Sequence, residues 1–249
     1  MLFSDHFSGH AADYAEHRPG YPAELCTFLA SVAPARGLVW DCGTGSGQAA
    51  VVLATHFEHV VATDPSAAQL AHARHHPGVE YRTAPERDSG LPPGSCDLVT
   101  AAQAAHWFDL PAFYAEADRV LRSGGVLAIW CYNTTLVEPA IDRLIAAFQH
   151  ERVGPYWPLE RVHTDAGYRT LPFPYERLEP PSLVMRHRWT RDQFVAYVDT
   201  WSSVKRCREA EGVDPVAGFA RDLSALWPDA ADVRDVRWPL HVIAGRKPG

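Results

Sequence analysis

The segment Val39-Trp40-Asp41-Cys42-Gly43-Thr44-Gly45-Ser46-Gly47-Gln48 decides the fold class of this 249-residue chain. A short apolar run ends in an acid, glycines follow at alternate positions, and residues 49–54 have a helical composition. This order predicts a strand, a tight glycine loop and the start of a helix. Glycine lets the backbone approach a ligand closely and adopt positive φ, while a helix start presents unpaired N–H groups. The segment therefore predicts a ligand-binding loop.

The glycine spacing separates two classes of ligand. Dinucleotide-binding loops have the pattern G-x-G-x-x-G, whereas here Gly43, Gly45 and Gly47 alternate and Asp41 stands two residues before the first. A carboxylate in the loop repels a pyrophosphate but suits a cationic ligand such as S-adenosylmethionine, which has no phosphate. The pattern resembles motif I of the class I S-adenosylmethionine-dependent methyltransferases. A glycine-rich turn after any buried strand, or a nicotinamide-dependent dehydrogenase with the other spacing, are the alternatives.

Composition limits the classes of partner. Apolar residues make up 47% of the chain and charged residues 21%, which is typical of a globular protein. The net charge of −7 and the lack of a basic block disfavour a nucleic-acid partner. The N-terminus lacks the pattern of a signal peptide and no apolar run is long enough to cross a bilayer, so we expect no membrane partner. Five widely spaced cysteines without a C-x-x-C pair indicate the reducing cytoplasm.

Alternating strand and helix patterns predict an α/β fold, a doubly wound, mostly parallel, seven-stranded Rossmann-like sheet with helices on both faces. Five strands fall within residues 38–131, and two more, at 183–189 and 236–246, could complete the sheet. The helices are predicted at residues 23–32, 49–54, 65–74, 110–121, 141–152 and 191–208. We predict a single domain with an N-terminal cap arm (1–37), a cofactor-binding core (38–131), a helical and aromatic acceptor-pocket segment (132–235) and a final strand with its tail (236–249).

Three acidic or histidine features have competing interpretations. Asp64 ends the second predicted strand, 21 residues beyond Gly43, where a carboxylate can accept both hydroxyls of a ribose. It also precedes Pro65, so it could cap a helix, and both roles can hold at once. Asp97 lies at the start of a strand and is predicted to be structural. The histidines near residue 75 indicate a solvated helix end, and we predict no metal site.

Further motifs strengthen the resemblance to class I methyltransferases. Ala84-Pro85-Glu86, Asp97-Leu98-Val99 with Gln103, and Gly124-Gly125 before an apolar strand follow motif I and Asp64 in the family's order. Within that superfamily the chain looks like the group that contains trans-aconitate methyltransferase and related small-molecule methyltransferases. The pointers are Tyr14-x-x-x-Arg18-Pro19-x-Tyr21-Pro22, Gln103-Ala-Ala-His106-Trp107-Phe108-Asp109 and Thr200-Trp201-Ser202.

The resemblance implies S-adenosyl-L-methionine as cofactor, S-adenosyl-L-homocysteine as product, and a set of binding residues. Asp41 would face the ammonium group through water or the loop amides, and Asp64 would hold the ribose. Tyr14 and Arg18 would close over the cofactor, although an ordinary helix face is an equal alternative for them. The remaining implied cofactor residues are Gly43 and Gly45 at the methionine moiety, Pro65, Ser66, Ala84 and Glu86 at the adenine, and Gln103 at the methionine end.

The resemblance also implies methyl transfer to a small-molecule acceptor by in-line displacement, with O-methylation of a carboxylate favoured because an ionised acceptor needs no base. For other acceptors His106 is the candidate base, the alternative being a loop histidine beside packed rings. C- or N-methylation of another metabolite, or a cofactor-binding protein without acceptor chemistry, stay open, as does a monomer or a homodimer. The candidate acceptor residues are His106, Trp107, Tyr132, Trp157 and Trp201, with Arg186, Arg188, Lys205 or Arg206 to pair with an anion.

Overall fold

The computed structural model describes residues 20–249, and its centre is one sheet of eight strands. Five parallel strands stand in the order β3-β2-β1-β4-β5, and β8 continues the sheet antiparallel to β5. β6 and β7 both pair with β8 in antiparallel fashion. The strands are β1 (Leu38–Cys42), β2 (His59–Asp64), β3 (Val79–Thr83), β4 (Cys96–Ala102), β5 (Leu121–Cys131), β6 (Glu176–Leu178), β7 (Leu183–Thr190) and β8 (Val233–Arg246).

The predicted α/β class and the mostly parallel sheet are confirmed, and the predicted count of seven strands is corrected to eight. The strand that the sequence did not reveal is β6, whose three residues are too few to show an alternating pattern. β8 begins at Val233 rather than at the predicted residue 236. Its first half pairs with β7 and its second half with β5, so one long strand serves two sets of neighbours.

The helices cover both faces of the sheet. They are α1 (Ala23–Val32), α2 (Gln48–Leu53), α3 (Ala67–Leu70), α4 (Leu110–Val120), α5 (Pro139–Ala147), α6 (Arg161–Asp165), α7 (Arg191–Asp199), α8 (Ser202–Glu211) and α9 (Pro215–Leu226). Successive strand residues point to opposite faces, so Val39 packs into the larger core cluster and Trp40 into the smaller one. No helix among residues 20–249 combines the length and apolarity that crossing a membrane requires.

Three predicted helices are corrected. The helix expected over residues 65–74 is confined to α3. The helix expected over 191–208 is two helices, because Trp201 takes an extended conformation between α7 and α8. Residues 141–152 begin as α5 and end as a π-helical turn, and α9 was not predicted. The break at Trp201 matters for the site, because it turns this indole towards the end of β5.

Asp97, predicted to be structural, fixes the start of the first strand. Its Oδ2 accepts hydrogen bonds from the backbone N–H groups of Gly37 (2.7 Å) and Leu38 (3.0 Å). The side chain is completely buried and forms an ion pair with Arg122 at 3.1 Å. Asp97 therefore ties β1, β4 and β5 together at the edge opposite the glycine loop, and the carboxyl ends of these strands are left to form a site.

Candidate active site at the carboxyl edge of the sheet

The three glycines after β1 all have positive φ, but for different reasons. A Cβ on Gly43 would lie 2.7 Å from Ala104 Cβ and 2.9 Å from Phe108 Cζ, and one on Gly47 would overlap the Tyr81 ring. These two glycines are required because neighbouring residues pack directly against them. A Cβ on Gly45 would meet no described atom closer than Gln69 Oε1 at 3.8 Å. The space above Gly45 is therefore the part of the loop that a ligand can approach.

Asp41 lies beneath the loop and is completely buried. The hydroxyl of Thr44 donates to its Oδ2 (2.6 Å) and the hydroxyl of Thr100 donates to its Oδ1 (2.7 Å). Burial raises the pKa of Asp41 to about 6, even though these two hydrogen bonds act to lower it, and the charge of Asp64 raises it further. The carboxylate thus fixes the loop from below, and its charge can reach a ligand only through the loop backbone.

Asp64 ends β2 beside the same loop. Its Oδ2 accepts a hydrogen bond from Gly45 N–H (2.9 Å) and its Oδ1 accepts one from Ser66 N–H (2.8 Å). The helix cap of α3 is Ser66, whose hydroxyl accepts from Gln69 N–H, so the interpretation of Asp64 as the N-cap is wrong. Asp64 is 8% exposed, at the carboxyl edge of the sheet where ligands of α/β proteins bind.

Three buried polar atoms in or beside the loop have no hydrogen-bond partner within the described residues. They are Ser46 Oγ, Gln48 Nε2 and Gln69 Oε1, and Ser46 and Gln69 are 2% and 5% exposed. A buried polar atom without a partner is costly, so such atoms commonly indicate a missing ligand or water. Gln69 Oε1 also lies next to the open space above Gly45. The sequence analysis did not select Gln69, although its position three residues after the capping Ser66 places it in the first turn of α3, beside Asp64.

The other predicted cofactor residues line up along the same edge. Ala84 follows β3 and donates its N–H to Asp64 O at 3.3 Å. Pro65 is half-buried between β2 and α3, and the Glu86 side chain is 16% exposed. Burial raises the pKa of the Cys42 thiol, and the nearby charges of Asp41 and Glu86 raise it further. The loops after β3, β2 and β1 are neighbours because those strands are neighbours. Tyr14 and Arg18, predicted to cover this edge, lie outside the described residues.

Gln103 follows β4 and lies between the glycine loop and a cavity lined largely by aromatic side chains. It has a positive φ of 54°, and its side-chain amide exchanges two hydrogen bonds of 2.9 Å with the backbone N–H and C=O of Tyr132. This pairing holds the ends of β4 and β5 together. Strained backbone of this kind persists only where its surroundings enforce it, and it is frequent at functional sites.

This cavity brings together His106 and the four aromatic residues that were predicted to contact the acceptor. Its volume is about 70 Å³, several times the roughly 10–15 Å³ that one water requires. None of Arg186, Arg188, Lys205 and Arg206, suggested by the sequence as anion partners, lines it. It is lined by Gln103, His106, Trp107, Tyr132, Asn133, Trp157, Pro158, Arg161, Thr164, Tyr197, Trp201 and Ser202.

His106 lies in a short 3₁₀ helix (Ala105–Trp107), between the cavity and the buried Tyr168. Its Nδ1 and the hydroxyl of Tyr168 are 2.7 Å apart and share a hydrogen bond. Burial lowers the pKa of His106 to about 3, and the positive charges of Arg161 and His163 lower it further. The imidazole is therefore neutral at physiological pH, and holding a proton there is unfavourable.

Arg161 is the charged residue that the sequence analysis missed at this cavity. Its guanidinium carbon lies 4.0 Å from the centre of the Trp157 ring, and its Nε donates to Asp165 Oδ1 at 2.7 Å. Its side chain is 17% exposed. The interval of four residues to Asp165 is an ordinary helix pair, which is why the sequence gave no sign that this arginine faces a cavity.

Comparisons with known proteins identify the family. A family model described as a methyltransferase domain matches residues 40–129. A protein of Dictyostelium discoideum named as a methyltransferase is 32% identical to this chain, over 98% of this chain and 96% of its own length. A solved structure from Anaeromyxobacter dehalogenans, named as a type II methyltransferase, has a TM-score of 0.88 and 48% identity, covering 93% of this chain and 99% of that one.

The chain belongs to the class I S-adenosylmethionine-dependent methyltransferases. A protein of Saccharomyces cerevisiae that is named for this cofactor is 32% identical over 49% of this chain and 45% of its own length. The family confirms the prediction that alternating glycines after Asp41 indicate S-adenosylmethionine, and the nicotinamide alternative is set aside.

The polar groups at the carboxyl edge of the sheet suit S-adenosylmethionine. Asp64 and Gln69 offer oxygen acceptors at the end of β2, where the ribose hydroxyls of the adenosyl group could donate to them. Gly45 leaves the loop open to a ligand. The cavity lined by His106 and Arg161 begins at Gln103, immediately beyond this edge.

Proposed function

We propose that this methyltransferase transfers the methyl group of S-adenosylmethionine to a carboxylate oxygen of a small organic acid. The observation that carries the proposal is the absence of a competent base among the described residues that line the acceptor cavity. Only His106 and Arg161 there have ionisable side chains outside the tyrosines, and the pKa of His106 is lowered to about 3. An acceptor that is ionised before it binds fits such a cavity.

The lowered pKa of His106 supports an acceptor that is ionised before it binds. A phenol has a pKa of about 10, and a histidine whose pKa burial has lowered to about 3 is a poor acceptor for its proton. A carboxylic acid has a pKa of about 4 and needs no proton transfer at neutral pH. His106 is then a positioning residue rather than a base: its neutral ring, oriented by Tyr168, can donate or accept one hydrogen bond to the acceptor.

The cofactor-binding residues carry the other half of the proposal. When bound, S-adenosylmethionine would supply a methyl group activated by its sulfonium; the C–S bond would break as the acceptor oxygen bonds to the methyl carbon, and the sulfur would leave as a neutral thioether. Asp64 and Gln69 bind the ribose, and the Gly43–Gly45 backbone receives the methionine moiety. Ala84 and Glu86 border the adenine. Holding the two reactants at ~3–3.5 Å can supply roughly 7–11 kcal/mol of the barrier.

The division of labour along the chain supports a small acceptor. Most residues that line the cavity come from the segment 132–235, which we propose as the acceptor-specifying part of a single domain, while Gln103, His106 and Trp107 come from the cofactor core. The cavity volume of about 70 Å³ suits a molecule of few heavy atoms. A nucleic acid or a folded protein would need a broader surface. The resemblance to the trans-aconitate methyltransferase group points to the same class of acceptor.

The first experiment measures binding of S-adenosylhomocysteine by calorimetry. Replacing Asp64 with Asn (Asp64→Asn) should weaken binding by about 10–100-fold, because one acceptor oxygen becomes a donor while the shape is kept. The exposed Asp222→Asn change removes the same charge far from the edge and should leave binding unchanged. Lack of binding by the unaltered protein would contradict the assignment of this edge to the cofactor.

The second experiment identifies the atom that is methylated. The protein is incubated with cofactor labelled in the methyl group and with small carboxylic acids, phenols or amines. We expect label in base-labile esters. Label found only in phenol ethers or methylated amines would favour the alternative of O-, N- or C-methylation with a base, and cofactor binding without transfer to any acceptor, cell extract included, would favour a binding protein.

We also propose that the protein works in the cytoplasm. All five cysteines are buried free thiols in the described part of the chain, as a reducing compartment would leave them. A monomer or a homodimer is proposed, and sedimentation equilibrium distinguishes the two.

A further inference from the structure

We propose that Arg161 is the residue by which this methyltransferase recognises the anionic group of its acceptor, and that the acceptor is a small organic anion with a flat, unsaturated carbon skeleton. The inference rests on the proposed function and adds to it the recognising residue and the shape of the acceptor. It stands on the charge, the geometry and the ring content of the cavity lined by Gln103, His106 and Arg161.

The charge of the cavity is the first support. Among the described residues that line it, Arg161 has the single charged side chain, and no aspartate or glutamate lines it. The nearest carboxylate partner, Asp165, is 45% exposed, so its charge is screened by solvent. The guanidinium is much less exposed, at 17%. Within the described lining, an anion entering this cavity therefore meets the Arg161 cation and no carboxylate, because Asp165 pairs with Arg161 from outside the lining.

The geometry of the guanidinium is the second support. One N–H of its five donors, at Nε, is engaged by Asp165 Oδ1, and Asp165 is the one hydrogen-bond partner of the Arg161 side chain within residues 20–249. Both terminal nitrogens therefore keep their donors for a ligand. The guanidinium stacks on Trp157, with its carbon 4.0 Å from the centre of the ring, and this contact fixes the plane of the forked guanidinium group. A fork fixed in this way binds a carboxylate through two parallel hydrogen bonds.

The aromatic side chains that line the cavity are the third support. Trp107, Tyr132, Trp157, Tyr197 and Trp201 all line the cavity, and the centres of the Trp157 and Trp201 rings are 5.7 Å apart. Aromatic walls gain most from flat, unsaturated ligands, which stack or meet them edge-on. The cavity thus combines one cation with a set of rings, which is the chemistry that a conjugated or aromatic acid requires.

The test uses three matched probes: benzoate, its neutral amide benzamide, and the saturated acid cyclohexanecarboxylate. Their binding is followed by tryptophan fluorescence with the protein saturated by S-adenosylhomocysteine, whose own affinity is measured first. We expect benzoate to bind at least about 30-fold more tightly than benzamide. Arg161→Gln should abolish that preference, Arg161→Lys should keep part of it, and cyclohexanecarboxylate should bind roughly 3–10-fold more weakly than benzoate.

Two control variants separate recognition from structure. Asp165→Asn removes the partner of Arg161 but keeps the cation, so the preference for benzoate should survive. The exposed Arg143→Gln change removes the same charge from α5 and should have no effect. In any acceptor assay Arg161→Gln should raise KM far more than it lowers kcat, with the affinity for S-adenosylhomocysteine unchanged.

Distinct results would overturn the inference. No preference for benzoate over benzamide in the unaltered protein, or an equal loss in Asp165→Asn and Arg161→Gln, would mean that Arg161 is structural. Equal binding of benzoate and cyclohexanecarboxylate would contradict the inference that the acceptor has a flat, unsaturated carbon skeleton. Failure of S-adenosylhomocysteine to bind is a separate result, and it would count against the proposed function rather than against Arg161.

Discussion

Asp41 and Asp64 are acids at the ends of neighbouring strands, yet their surroundings give them different tasks. Asp41 is completely buried under two threonine hydroxyls, whereas Asp64 lies at the edge and accepts from the loop backbone. Burial without a cation destabilises the ionised form of Asp41 and raises its pKa to about 6. The buried carboxylate of Asp41 thus lowers the stability of the fold, and we interpret it as a feature of the binding site.

The first prediction at this scale concerns Asp41→Asn and pH. The pKa of Asp41 is raised from 3.8 to about 6 in the folded protein, so the folded state holds the Asp41 proton more tightly than the unfolded state does. Protonated Asp41 therefore contributes to the free energy of unfolding below pH 3.8, and this contribution is lost as the pH rises to about 6. Asp41→Asn removes this titration. Relative to the variant, the unaltered protein should therefore lose about 2 kcal/mol of unfolding free energy between pH 4 and pH 7.

The measurement is urea unfolding of both proteins at several pH values. Groups far from Asp41 titrate equally in the two proteins and cancel in the difference. A difference in unfolding free energy that stays constant from pH 4 to pH 7 would contradict the raised pKa. We also expect the variant to bind S-adenosylhomocysteine more weakly, because the loop loses one charged anchor.

Single residues divide clearly into those that the sequence revealed and those that it did not. Asp41, Gly43, Gly45 and Asp64 occupy fixed intervals along one βαβ unit, so their places follow from local rules. Arg161 gave no such signal. Its position at the cavity depends on where α6 packs, and a basic residue four positions before an aspartate is ordinary on any helix.

At the scale of elements, α4 is held to the loop before β4 by one carboxylate, that of Glu116. Glu116 Oε1 accepts hydrogen bonds from Ser89 N–H (2.8 Å) and the Ser89 hydroxyl (2.6 Å), and Glu116 forms an ion pair with Arg119. Burial alone would raise the pKa of Glu116, but the hydrogen bonds from Arg119 and Ser89 outweigh it and lower the pKa to about 2. The hydrogen bonds of Glu116 thereby hold α4 against the loop before β4.

The prediction for this element is the effect of Glu116→Gln. Since the folded pKa is depressed, the stabilisation is present above the ordinary pKa of 4.5 and is lost as pH falls towards 2. At pH 7 the variant should be less stable by about 2 kcal/mol, less than the shift alone implies because Arg119 is partly exposed. Denaturant unfolding at pH 7 and pH 3.5 should show the gap narrowing, with exposed Glu24→Gln as the unaffected control.

Elements were predicted best where one local pattern decides them. α1 was predicted with its observed bounds, because apolar spacing and two prolines mark it off. The helix over residues 191–208 was predicted as continuous, but Trp201 leaves helical geometry and packs its indole against Phe148 and Trp157. Burial of a large ring against residues distant in sequence outweighs the local propensity, and no window of sequence contains that information.

At the scale of the whole molecule, β8 joins the cofactor core to the acceptor-pocket segment. Its residue Trp238 is completely buried and packs edge-on against Trp189 (5.0 Å) and Tyr197 (5.4 Å). The indole N–H donates to the Tyr197 hydroxyl at 3.1 Å. Tyr197 also lines the acceptor cavity, so the last strand supports the wall of the pocket.

The corresponding prediction concerns Trp238. Trp238→Ala should lower the free energy of unfolding by about 3–5 kcal/mol, because it opens a cavity and deprives Tyr197 of its donor. Leu226→Ala, at a site that is 36% exposed, should cost far less.

The milder Trp238→Phe change keeps an aromatic ring but loses the indole donor. In that variant acceptor KM should rise while the affinity for S-adenosylhomocysteine stays constant. Parallel changes in both quantities would contradict the separation of the two half-sites.

The sequence by itself determined the α/β class, the glycine loop, the acid after β2 and, through them, the cofactor. These features are local: each depends on a backbone conformation or a strand end that a few consecutive residues specify. Only the tertiary structure decided the acceptor cavity. Trp157, Arg161 and Trp201 meet His106 because distant helices pack on one another, and such packing follows from the burial of whole faces rather than from any local spacing.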